Sequence, residues 1–102
     1  DTLDAGDGLC DENIVSIVVK EGPERVREII DWGARFDKTK KGTYDLGKEG
    51  GHSNNRILHY KDLTGWEMQR TLSDLAATIP NIKILEHQRV FDLFEIIHAE
   101  KL

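Results

Sequence analysis

Nine consecutive residues, Gly47 to Asn55, contain three glycines and no apolar side chain. A stretch of that kind cannot be the interior of a helix or strand that packs on a core. It divides the chain, so folding must come from the segments on either side, with this loop between them. A loop of this length inside a compact domain is more often functional than idle. From Ala34 to Arg56 six bases (Arg35, Lys38, Lys40, Lys41, Lys48, Arg56) face three acids (Asp37, Asp45, Glu49). The whole chain has the opposite sign, with 14 basic and 19 acidic residues and a formal charge of −5. That argues against a nucleic-acid surface, which needs a concentrated basic face. At 102 residues the chain allows one domain, which buries only roughly 60–65% of its unfolded surface. No run approaches the ~18–20 apolar residues of a membrane span. The single cysteine, Cys10, excludes an internal disulfide and fits a reducing, cytoplasmic location. The chain opens at Asp1 without Met or a leader and closes at Lys101-Leu102 straight after an apolar run. We expect a piece of a longer protein, marginal by itself.

The flanks are patterned. Asp1 to Glu12 holds five carboxylates with Gly6 and Gly8 among them and reads as a solvated acidic loop. Asn13 to Lys20 is apolar and β-branched, too short for periodicity to separate helix from strand; Asp11 and Glu12 favour a helix start. Gly22-Pro23 reads as a break, with Pro23 at the first position of a second helix, Pro23 to Trp32, carrying Val26, Ile29 and Ile30 on one face and stopped by Gly33. Lys40-Lys41-Gly42-Thr43 predicts the turn of a small hairpin between Arg35-Phe36-Asp37 and Tyr44-Asp45-Leu46. Thr64-Gly65-Trp66-Glu67 reads as a capping box opening a third helix with Met68, Leu72, Leu75, Ala76 and Ile79 in one stripe, closed by Pro80-Asn81. Ile82 to His87 and Val90 to Ile97 predict two strands around Gln88-Arg89. The fold class is therefore α+β: three helices, a small hairpin and a C-terminal strand pair.

Most chemistry-bearing residues have plain explanations. Gly6-Asp7-Gly8 is half of a dinucleotide fingerprint, but no strand precedes it and Asp11 stands where the third glycine is needed. Counted from Asp4, an EF-hand loop would place Gly6 at a ligand position. His52, His59, His87 and His98 lack zinc spacing, and Cys10 reads as a small buried hydrophobe. The loop Gly47-Lys48-Glu49-Gly50-Gly51-His52-Ser53 stands apart. Its adjacent glycines let backbone approach a ligand, while Lys48, Glu49, His52 and Ser53 offer charge and hydrogen bonds. From composition alone it is either a plain surface turn or a ligand loop.

At this loop the sequence resembles the L-aspartate oxidase family. Asp45-Leu46-Gly47-Lys48-Glu49-Gly50-Gly51-His52-Ser53, then Arg56-Ile57-Leu58-His59 and Asp62-Leu63-Thr64-Gly65, are similar to one ordered stretch of that family. Asp1-Thr2-Leu3-Asp4-Ala5-Gly6-Asp7-Gly8-Leu9-Cys10-Asp11, Glu24-Arg25-Val26 through Asp37, and Pro80-Asn81-Ile82 through Asp92-Leu93 extend the resemblance over essentially the whole chain. It implies an internal part, residues 1–102, of the Rossmann-like FAD-binding domain of a succinate dehydrogenase/fumarate reductase-type flavoprotein. The dinucleotide fingerprint would lie upstream, and the capping domain with its catalytic arginine downstream. The implied activity is oxidation of L-aspartate to iminoaspartate, the first step towards quinolinate and NAD, with FAD as cofactor and quinolinate synthase as the partner that follows. It places Glu49 beside the substrate ammonium and Gly50 and Gly51 close to flavin and substrate. His52 and Ser53 are implied as neighbouring polar groups, and Val90 as a contact of the adenine end of FAD. The alternatives are a fumarate reductase or succinate dehydrogenase fragment, acting on fumarate or succinate, and a non-catalytic binding module.

Overall fold

The computed structural model describes residues 1–96. Its helices are α1 (Thr2–Ala5), α2 (Glu12–Asp31) and α3 (Thr64–Thr78). α2 starts at Asp11, whose extended backbone lets its carboxylate accept the free N–H groups of Asn13 (3.0 Å) and Ile14 (3.2 Å), two donors that the first helical turn cannot pair. It stops where expected. Gly33, at φ +111°, donates to Ile30 O, and Ala34 donates to Ile29 O, the two reversed bonds of a glycine-terminated helix.

Three expectations are corrected around these helices. The break at Gly22-Pro23 does not occur, and Pro23 lies inside one 20-residue helix. Proline removes a backbone hydrogen bond there, but Val15, Val19, Val26 and Ile30 keep one apolar face in register across it, which favours continuing the helix. The acidic opening is not all loop. Its first residues wind into the single turn α1, with Ala5 N–H donating to Asp1 O (2.9 Å) and Gly6 N–H to Thr2 O (3.0 Å), and with Asp1 and Asp4 near its positive end. The capping box at Thr64 does not form either. Leu63 is the N-cap, Thr64 Oγ1 accepts the N–H of Tyr60, and Glu67 turns inward. The Glu67 carboxylate accepts the N–H of Arg35 (3.0 Å) and pairs with the Arg70 guanidinium, partners stronger than its own helix terminus could supply.

Among the described residues, Ala34 and Phe36, just past the end of α2, are the buried apolar ones, and on α3 Glu67 and Thr71 are buried beside the expected stripe. Arg70 also donates to Gly33 O, so this ion pair fastens α3 to the end of α2. The Arg70 hydrogen bond and the Arg35 N–H hold the Glu67 carboxyl down to about 2 from an ordinary 4.5, against desolvation, which pushes it up. The guanidinium of Arg70 is correspondingly pushed up by Glu67 and Asp74.

The predicted hairpin is reduced to its turn. Gly42 adopts φ +85°, Thr39 N–H donates to Thr43 O (2.8 Å), and a single antiparallel bridge joins Lys38 to Tyr44. A second isolated bridge joins Gly47 to Ile57. The C-terminal strand pair is absent from the described residues. Ile82 to Ile96 forms no ladder, and Val90, Phe91 and Leu93 are each more than four-fifths exposed. Extended chain becomes a sheet only when a neighbouring strand takes its N–H and C=O groups. The end of the predicted second strand, Ile97, and His98 lie outside the described residues. Among the described residues, no helix is long and apolar enough to cross a membrane.

Candidate functional site

The glycine loop is held at its base and near its end. At the base, Gly47 and Ile57 exchange both backbone hydrogen bonds (2.8 and 3.0 Å), and the N–H of Arg56 also donates to Gly47 O (2.9 Å). A tight turn follows, with His52 N–H donating to Glu49 O (3.0 Å). Further on, Asp1 Oδ2 accepts both Ser53 N–H (3.1 Å) and Arg56 Nε–H (3.0 Å), and the Arg56 guanidinium donates to Ser53 Oγ (3.2 Å). Arg56 thus spends its charge on ordering the chain, which brings α1 against the loop. Gly51 sits so close to Ala5 that an added Cβ would lie 3.4 Å from the Ala5 Cβ.

The turn directs the predicted site residues to two clefts that share only Ile57. Glu49 lines a cleft of about 520 Å³ with Lys48, His59, Lys61, Asp62 and the start of α3 at Thr64-Gly65. Its side chain is exposed. Gly51 and His52 line a wider cleft of about 910 Å³, walled by α1 and by Val15, Val19 and Pro23 of α2. Among the described residues, the Nδ1 atom of His52 is buried without a hydrogen-bond partner. Gly50 lines neither cleft, and Ser53 is committed to Asp1 and Arg56. Val90, 86% exposed, stands apart from both clefts, on the C-terminal segment. Cys10 is half-buried and aims its Sγ at Thr2 O (3.7 Å).

Sequence reasoning overlooked a side-chain cluster built on His59, which lines the same cleft as Glu49. His59 places Nδ1 3.2 Å from Asp37 Oδ2 and Nε2 3.4 Å from Asp45 Oδ2. No spacing rule links positions 37, 45 and 59, which meet only when the turn at Lys40 to Thr43 folds back. The available signal was modest: two acids flank that turn, and a histidine follows the apolar pair Ile57-Leu58.

Comparison with known proteins gives this arrangement its context. The FAD binding domain family matches residues 1–97. L-aspartate oxidase 2-b, chloroplastic, of Nicotiana tabacum is 47% identical over 93 residues, which cover 91% of this chain and 14% of that protein. L-aspartate oxidase of Vibrio cholerae is 45% identical over 98 residues, covering 91% of this chain and 18% of that protein. The Streptomyces coelicolor protein of the same name is 45% identical over 94 residues, covering 91% and 16%. The chain therefore spans about one-sixth of the length of these curated relatives.

The wider cleft fits a ligand of the FAD kind. Its walls at Val15, Val19, Pro23 and Ile57 are apolar, as a flat aromatic ring requires, and His52, whose Nδ1 has no partner among the described residues, also lines it. The close packing of Gly51 on Ala5 leaves the loop backbone, rather than a side chain, at the rim. With its described clefts suited to such a cofactor and its match running almost end to end, this chain belongs to the FAD binding domain family.

Proposed function

We propose that the full-length protein is an L-aspartate oxidase, converting L-aspartate to iminoaspartate on the route to quinolinate, and that residues 1–102 form an internal part of its FAD-binding domain. The observation that carries this reading is the shared name of plant and bacterial relatives that are 45–47% identical over nine-tenths of the chain. When bound, FAD supplies the electron-accepting chemistry, and the protein supplies orientation and selection. In this reading Gly51 and His52, which line the wider cleft, hold the ring end of the cofactor, and Gly50 is the link of chain that joins them to Glu49. Ser53, locked by Asp1 and Arg56, sets where that backbone runs. Val90, open on the C-terminal segment, is covered by the adenine end.

Glu49 takes the discriminating role. L-aspartate differs from succinate by one ammonium group, and a carboxylate in an open cleft, without an ion-pair partner among the described residues, is suited to receive it. Its neighbours Lys48 and Lys61 line the same cleft; they keep the pocket from being uniformly negative without neutralising Glu49 through an ion pair. Glu49 selects the substrate and transfers no proton. The single cysteine, Cys10, is the support for the reducing, cytoplasmic location we propose, whereas the Nicotiana tabacum relative carries the description chloroplastic.

The test is anaerobic mixing of the full-length flavoprotein with L-aspartate or with succinate. Bleaching of the flavin absorbance by L-aspartate, and far slower bleaching by succinate, is expected. Bleaching by succinate alone assigns the protein to the succinate and fumarate enzymes, and bleaching by neither reduces the domain to a binding module.

A further inference from the structure

We propose that His59 is a positioning residue for Glu49, clamping the base of the glycine loop so that the carboxylate stands where a substrate ammonium can reach it. The inference rests on the reading of Glu49 given above and adds the device that aims it. One imidazole ring reaches two carboxylates, Asp37 through Nδ1 (3.2 Å) and Asp45 through Nε2 (3.4 Å). Asp37 is itself fixed. Its carboxylate accepts the N–H of Lys61 (2.7 Å), a residue held at φ +47°, and its own N–H donates to His59 O (2.7 Å). Asp45 is tied to the same place, its N–H donating to Asp37 O (2.9 Å).

The geometry transmits this to the loop in two steps of chain. Asp45 stands two residues before Gly47, and His59 two residues after Ile57. Gly47 and Ile57 are the pair whose backbone bonds close the loop bearing Glu49. The ring of His59 also packs under that closure, since a Cβ built on Gly47 would lie 3.6 Å from His59 Cδ2. His59, Gly47 and Glu49 line one cleft. His59 makes no hydrogen bond or ion pair with Glu49, so its influence passes through the position of the loop. Small misplacements of a binding group carry disproportionate costs in turnover and affinity.

The experiment is steady-state kinetics of the full-length flavoprotein with His59→Ala, Glu49→Gln and the double variant, with visible flavin circular dichroism to confirm folding. His59→Ala is expected to raise KM for L-aspartate roughly three- to tenfold, with kcat within about twofold and KM for succinate little changed. In the Glu49→Gln background the same change is expected to add nothing, because two residues acting through one contact are not additive. An undiminished effect in that background, or an equal effect on succinate, would make His59 merely structural and overturn the proposal. If Glu49→Gln itself leaves the preference for L-aspartate intact, the reading of Glu49 fails, which is a separate result. Should His59→Ala not fold, Asp45→Ala decides. Asp45 is more than half exposed, and its loss is expected to raise KM for L-aspartate about threefold; no rise refutes the clamp.

Discussion

Glu49→Gln in the full-length protein preserves the size and shape of the side chain and deletes its charge. Two unit charges ~4 Å apart interact by about 4 kcal/mol at an effective dielectric of 20, and by about 1 kcal/mol in bulk water. The structure decides where between these limits the pair falls. Glu49 is exposed, and its cleft also carries Lys48 and Lys61, so water and opposing charge both weaken the attraction. The lower half of the range applies, about 1–2 kcal/mol, or roughly a five- to thirtyfold loss in kcat/KM for L-aspartate. Succinate has no ammonium, so its turnover should hold or improve. The assay is the ratio of kcat/KM for the two substrates at one ionic strength, repeated at higher salt, where an exposed pair contributes less. Equal losses for both substrates would show that Glu49 matters to the fold of the loop and not to recognition.

Two further outcomes concern the scaffold, both read by urea denaturation of the full-length protein. Gly6→Ala would place a Cβ 2.1 Å from Cys10 Sγ and 3.3 Å from Thr2 O; a cost of about 1 kcal/mol is expected, since the thiol can rotate away, and Cys10→Ala in the same chain should remove most of it. The depressed Glu67 carboxyl contributes stability that is complete above its ordinary 4.5 and is lost as the pH falls towards about 2, because the unfolded chain takes up that proton first. The drop in midpoint between pH 5 and pH 3 should therefore shrink in Glu67→Gln, and an identical drop would refute the assignment.

The glycine loop, the start of α2 at Asp11, its stop at Gly33 and the helix α3 were legible in the sequence because each depends on near neighbours along the chain. Capping, a left-handed glycine and helical spacing are local physics, decided over four or five residues. Pro23 was misjudged because a local rule, the missing N–H, competes with an apolar face that runs the length of α2. Glu67 was misjudged in the same way. A capping box is a local bargain, and it loses to the Arg70 guanidinium three residues on together with an amide, Arg35 N–H, that arrives from 32 residues away.

The site divides along the same line. That Gly47 to Asn55 is a polar loop with one carboxylate follows from its residues alone, while the recognition role of Glu49 comes from the family resemblance. That Glu49 faces one cleft while Gly51 and His52 face another, and that His59 joins Asp37 to Asp45, follows only from the folded chain. The strand pair predicted from Ile82 onwards shows the limit most plainly. A helix completes its hydrogen bonds within its own segment, and so declares itself in sequence. A strand, like a binding cleft, is made by groups supplied from elsewhere.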